Sequence, residues 1–157
     1  MALQTSGEVS VEADRASAFE FVSDPLRLAQ CVPGCHDLRE ISPGRYSALV
    51  TSKVAFIALS FKVIVEIVKI EPPDAIEARI TGDAVGLAGR VVATAAMQLG
   101  NSGDGRTAIA YSTDVALTGK LGGLGEPVFR AKSAELAREF ATNLKAAIEK
   151  KPRETRS

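Results

Sequence analysis

Tryptophan is absent from this 157-residue chain, histidine occurs once (His36), and cysteine occurs twice (Cys31 and Cys35). A single imidazole leaves little room for acid–base chemistry built on histidine. Cys31, Cys35 and His36 are three candidate ligands in a Cys-x3-Cys pattern, whereas a structural zinc site takes four at recognised spacings. No metal or other cofactor is therefore expected. Two cysteines without a disulfide framework fit a reducing cytoplasm, where the protein is expected to reside. A cysteine nucleophile would need a base within reach, and His36 should point to the opposite face of its strand. No charge of one sign dominates: Lys and Arg number 19, Asp and Glu number 19, and no overall field gathers nucleic acid. No run of about 18 apolar residues is present to cross a membrane. The first residues show no basic stretch followed by an apolar one, so no secretory signal is expected.

What is present is an ordered series of periodic segments suited to one domain. Val9 and Val11 alternate with Glu8, Ser10 and Glu12, predicting a half-buried strand. Asp14 is a good N-cap for a helix whose apolar face is Ala18, Phe19, Phe21 and Val22. Asp24-Pro25 ends it and begins a second short helix with Leu26, Leu28 and Ala29, which Pro33-Gly34 stops. Strands follow from His36 to Ile41, from Tyr46 to Phe56, from Phe61 through Ile67, around Ile76 to Ile80, from Leu87 to Leu99, and from Thr107 to Leu117. Pro43-Gly44, Glu71-Pro72-Pro73-Asp74 and Asn101-Ser102-Gly103-Asp104-Gly105 mark turns. One long helix from about Leu124 to about Lys150 carries the stripe Val128, Phe129, Leu136, Phe140, Leu144 and Ile148. A helix of that length needs a concave apolar surface to lie against. The fold class predicted is α+β, a curved antiparallel sheet of about seven strands around a long C-terminal helix, with two short helices after the first strand.

Small residues interrupt what would otherwise be a solid core. If Leu87, Val91, Met97 and Leu99 point inward, Gly89, Ala93 and Ala95 share their face, with Tyr111 and Thr113 on the last strand opposite. Two readings stay open: a ligand cavity, or a close approach of sheet and helix that needs small side chains. In the first, the lining is Val54, Phe56, Phe61, Val63, Val65, Gly89, Val91, Ala93, Ala95, Tyr111 and Thr113 from the sheet, and Val128, Leu136 and Phe140 from the helix. Tyr111 could orient a carbonyl or quinone oxygen, or simply pack with a wet hydroxyl. None of these positions offers a catalytic ionisable group. The run from Gly119 to Pro127 lacks the upstream glycine and the Ser or Thr of a phosphate loop. Leu121 and Leu124 in it form either a gate or membrane contact, or an ordinary connection. On the outer face of the fourth strand Ile64, Val68 and Ile70 are apolar, which fits a homodimer or docking on a larger enzyme. Residues 151–157 form a basic tail, read both as a disordered end and as a contact for an anionic surface.

Certain local sequences resemble a known family. They are Gly7-Glu8-Val9, Phe21-Val22-Ser23-Asp24-Pro25, Leu28-Ala29-Gln30-Cys31-Val32-Pro33-Gly34-Cys35, Glu71-Pro72-Pro73, and Gly119-Lys120-Leu121 with Leu124-Gly125. Together they resemble the carbon monoxide dehydrogenase CoxG family, within the START, polyketide cyclase and Bet v 1-like (SRPBCC) superfamily. The resemblance runs from about Gly7 to about Ile148 and implies a single helix-grip domain over residues 1–150. It departs at Val54-Ala55-Phe56, where the family has a glycine, and at Phe61-Lys62-Val63, where Phe-x-Gly is common. Both changes add volume near the expected cavity. The resemblance implies a non-catalytic accessory protein that binds a hydrophobic molecule, a lipid or quinone. Such a protein would serve a molybdenum-containing hydroxylase in membrane recruitment or assembly, with peripheral contact on the inner face of the membrane. Leu121, Leu124 and the basic tail would meet the bilayer. The alternatives are a cyclase- or hydrolase-type enzyme of the same superfamily and a ligand-free assembly factor.

Overall fold

Local capping and turn chemistry place the first helices. The computed structural model describes residues 2–154 except Ala55, Leu87, Leu121, Gly122 and Leu124, with side chains described as far as Glu149. Strand β1 (Ala2–Val11) leads into helices α1 (Arg15–Val22) and α2 (Pro25–Ala29). The Asp14 carboxylate accepts the Ser17 N–H at 3.0 Å, the N-cap bond that starts α1. Hydrogen bonding to Ser17 holds that carboxyl below its ordinary 3.8. Asp24 caps α2 in the same way, accepting from the N–H of Leu26 at 3.1 Å, with Pro25 in the first turn. After α2 the chain turns sharply at Gly34, whose φ is +79°. A Cβ there would run into the Thr51 carbonyl oxygen, and the Gly34 carbonyl accepts the Thr51 N–H at 3.0 Å. Only glycine fits so close an approach.

Strands β2 (Cys35–Ser42), β3 (Arg45–Val54), β4 (Ile57–Glu71), β5 (Ala75–Ala84), β6 (Gly89–Asn101) and β7 (Thr107–Gly119) follow. They form one seven-stranded sheet in the order β1-β7-β6-β5-β4-β3-β2, with every pair antiparallel. Helix α3 (Glu126–Glu154) completes the chain. This is the helix-grip arrangement expected from the sequence. Helix α3 runs along β1, with Thr5 and Ser133 hydroxyls 2.8 Å apart. Lys145 Nζ donates to the Ser10 carbonyl at 2.9 Å, and the Glu12 N–H donates to Glu149 Oε2 at 2.8 Å. On its other flank Asn143 Nδ2 donates to the Cys31 carbonyl at 3.1 Å, fastening α3 to the end of α2.

Two sequence expectations change. Strand β3 ends at Val54 and β4 begins at Ile57, so Phe56 stands in the hairpin turn and is 97 % exposed rather than lining the interior. Alternation stops where pairing stops, and a turn residue takes no fixed side of the sheet. Second, β4 slips register against β5 between Ile67 and Lys69, leaving Val68 as the extra residue of a bulge. Beyond it Ile70 pairs with Ile76, whose side chain belongs to the core, so Ile70 is not on the outer face with Ile64. Lys69 faces outward instead, between Glu71 and Glu77 at 3.4 Å from each.

The described core is divided into two clusters. The larger gathers Val11, Phe19, Phe21, Val22, Cys31, Leu99, Ile109, Leu144 and Ile148 beneath α1 and the C-terminal half of α3. The smaller gathers Leu3, Val54, Leu59, Leu117 and Phe129 at the end where α3 begins.

Candidate functional site

The candidate site lies between these clusters, bounded by the concave face of the sheet and the middle of α3. Register defines the face. One row across the sheet reads Thr5, Thr113, Ala95, Ala78 and Ile67; the next reads Leu3, Val115, Ala93, Ile80, Val65 and Tyr46. Ala95, Thr113, Ala78, Ile80 and Val65 are only half-buried although they stand mid-sheet, and so are Leu136 and Phe140 above them. Small side chains form much of the floor: Ala48, Gly82 and Ala93 are buried, and a Cβ on Gly82 would come within 2.9 Å of Val63 Cγ1.

Tyr111 forms one wall. Its ring meets Phe140 edge-on, with centroids 5.8 Å apart and planes at 81°. It leans over Gly7, its partner across β1 and β7, closely enough that a Cβ on Gly7 would sit 2.6 Å from Tyr111 Cζ. Gly7 therefore makes room for the phenol. The inward positions of β1 and β3–β7 carry no carboxylate, amine or imidazole; their ionisable groups are the phenols of Tyr46 and Tyr111. Burial and the neighbouring Glu40 carboxylate push the Tyr46 hydroxyl above its ordinary 10.0. At the flank of α3, Lys132 Nζ lies 2.6 Å from Glu135 Oε2, and this bond holds the Glu135 carboxyl below its ordinary 4.5.

A family model for the carbon monoxide dehydrogenase component CoxG matches residues 7–149. The chain belongs to the CoxG family. No curated protein matches its sequence. Among solved structures it is similar to a conserved protein from Geobacillus kaustophilus, at 22 % identity and a TM-score of 0.84, covering 94 % of this chain and 96 % of that one. It is similar also to a START superfamily protein from Mycobacterium smegmatis, at 14 % identity and a TM-score of 0.69, over 94 % of this chain and 97 % of that one. Zhui aromatase/cyclase from Streptomyces sp. R1128 aligns at 14 % identity and a TM-score of 0.63, over 100 % of this chain and 97 % of that one. At these identities the likeness establishes the fold.

In this CoxG-family chain the residues singled out by sequence fall into distinct places. Val63, Val65, Val91, Ala93, Ala95, Tyr111, Thr113, Leu136 and Phe140 line the concave face or the helix above it, with Gly89 half-buried at the start of β6. Val54 belongs to the smaller cluster, with Phe61, Val91 and Val128 packed against it. Phe56 is outside, as described. Leu121 and Leu124 lie outside the described residues. The C-terminus of α3 lies against Glu12, at the opposite end from the β7–α3 connection. Twenty-nine residues at a rise of ~1.5 Å separate those ends by about 43 Å. The connection and the basic tail therefore do not share one end of the molecule.

The thiols are structural. Cys31 is buried in the larger cluster, and burial raises both Cys31 and Cys35 above the ordinary 9.0. His36 points outward, with Nδ1 3.2 Å from Asp37 Oδ2 and Nε2 3.3 Å from Thr51 Oγ1. Among the described residues no group of three His, Cys, Asp or Glu side chains is gathered where a metal could sit. No described helix is long and apolar enough to cross a membrane. Sequence reasoning missed Tyr46 and Gly82 as parts of the concave face. Tyr46 continues the alternation of Ala48 and Val50 and was detectable; Gly82 shows itself only through its cross-strand neighbour Val63.

Proposed function

We propose that this CoxG-family protein is a non-catalytic accessory protein holding a lipid or quinone between its sheet and α3. In this role it serves a carbon monoxide dehydrogenase-type molybdenum hydroxylase in membrane recruitment or assembly. The observation that carries the reading is the divided core. Two buried clusters sit at either end of α3, and half-buried apolar residues on a floor of alanine and glycine lie between them. That pattern supports an apolar pocket. Tyr111 and Thr113 supply hydroxyls suited to a carbonyl or quinone oxygen. The lack of a carboxylate, amine or imidazole on the inward strand positions argues against acid–base turnover there. Service to a dehydrogenase is supported by the family. Ile64 and Val68 on the outer side of β4 are candidates for docking on that enzyme or on a second copy.

Native mass spectrometry and solvent extraction of protein purified from its own host test the pocket. A bound hydrophobic mass, released by extraction, is the expected result. Protein that is empty when isolated and takes up neither lipid nor quinone when titrated would overturn the carrier reading in favour of a ligand-free assembly factor. Turnover of an aromatic polyketide that disappears in Tyr111→Phe would overturn it in favour of a cyclase.

A further inference from the structure

Three connections meet at one end of the sheet: the β3–β4 turn, the β5–β6 loop and the chain leaving β7. Backbone hydrogen bonds join them, from the Val85 N–H to the Ser60 carbonyl at 2.8 Å and from the Lys120 N–H to the Ala88 carbonyl at 2.7 Å. Phe56 stands at this tip 97 % exposed, with Ile57 at 44 % and Val85 at 52 %. No packing within the fold accounts for so exposed a ring. The surrounding charge has one sign once ion pairs are removed. Asp83 is 4.0 Å from Arg90, Glu126 is 3.1 Å from Arg130, and Asp37 is 3.2 Å from His36. Lys53, Lys62 and Lys120 have no ion-pair partner among the described residues, although Lys62 lies across the sheet from Asp83. A chain of zero formal net charge thus concentrates unpaired cations around its most exposed apolar group.

We propose that this tip is a docking face for an anionic lipid bilayer. Phe56, Ile57 and Val85 enter the boundary between headgroups and acyl chains, and Lys53, Lys62 and Lys120 engage the anionic headgroups. Side chains projecting from turns suit a soft hydrocarbon boundary, which needs no matching pocket, and a cationic collar complements anionic lipid. The docking face stands on these observations; only the following consequence rests on the ligand-binding reading. The smaller cluster of Leu3, Val54, Leu59, Leu117 and Phe129 lies at the same end, between the tip and the candidate pocket. A greasy ligand leaving past it would enter hydrocarbon without crossing water.

Co-sedimentation with phosphatidylcholine vesicles, with and without phosphatidylglycerol, tests the face. The wild-type chain should bind the anionic vesicles, more weakly as salt rises. Phe56→Ser should weaken binding roughly tenfold, since burying that ring contributes on the order of one decade or more of partition. Lys53→Gln with Lys120→Gln should remove most of the salt dependence. Val68→Ser, at an exposed apolar site on β4, should bind as the wild type does. Phe56 touches little else, so its variant should melt as the wild type does. Wild-type protein that ignores anionic vesicles, or Phe56→Ser that binds them unchanged, would overturn the proposal. Loss of dehydrogenase capture in Phe56→Ser, with no vesicle binding by either protein, would overturn it in favour of a protein partner. Native mass spectrometry of the same samples separates the two readings: a retained ligand without vesicle binding defeats this face and leaves the carrier reading standing.

Discussion

Replacing Ala95 with leucine distinguishes a pocket from a filled interior by the sign of one number. Ala95 stands mid-sheet on β6, opposite Thr113 on β7 and Ala78 on β5, and is only half-buried. Leucine adds three carbons. At ~0.8 kcal/mol per buried methylene, placing them in existing apolar space contributes about 2 kcal/mol. Fixing the new rotamer costs about 0.5–1 kcal/mol. Ligand-free protein should therefore gain roughly 1–2 kcal/mol, or a rise of about 3–6 °C in Tm for a chain of this size. If the helix already filled the space, the same carbons would force overpacking and cost about 1–3 kcal/mol. Urea unfolding followed by circular dichroism reads the difference as a shifted midpoint at unchanged slope. Extraction of the same variant should show loss of the bound hydrophobic molecule. A midpoint that falls, with the slope held, would refute the reasoning.

Other predictions follow from single contacts. Gly7→Ala places a Cβ 2.6 Å from Tyr111 Cζ, where ordinary contact begins at 3.4 Å, so the ring must retreat by about 0.8 Å. That overpacking should cost about 1–3 kcal/mol in the native background and much less beside Tyr111→Ala; strictly additive effects in the double variant would contradict it. Cys31, with its thiol raised above 9.0 by burial, should resist iodoacetamide at about pH 8 until urea unfolds the chain. Rapid labelling of the native protein would be the opposite result. The Glu149 carboxyl is held below its ordinary 4.5, chiefly by the hydrogen bond from Lys145. A depressed native pKa contributes stability above 4.5 that is lost as pH falls through the folded value, so Tm should drop on acidification below that point. Glu149→Gln should flatten that part of the profile, and an unchanged profile would show that the pair contributes nothing.

Much of this architecture was legible from residues alone because its determinants are local. Strand alternation follows from the period-two backbone and predicted which residues of β6 and β7 face the helix. Asp14, Asp24 and the Pro33-Gly34 turn mark helix boundaries through hydrogen bonds and steric demands that span only a few residues. The absence of charge from the inward positions was visible once the alternation was read. Three features needed the folded chain. Phe56 continues the alternation of its strand in sequence, yet cross-strand pairing ends β3 at Val54 and turns the ring out to solvent. The bulge at Val68 moves Ile70 to the other face, because a slip in register depends on the partner strand and leaves no mark in periodicity. The division of the core arises because α3 packs along β1 and against the end of α2, leaving the middle of the sheet half-covered. That placement is set by contacts between residues more than a hundred positions apart, such as Thr5 with Ser133, which no local pattern encodes.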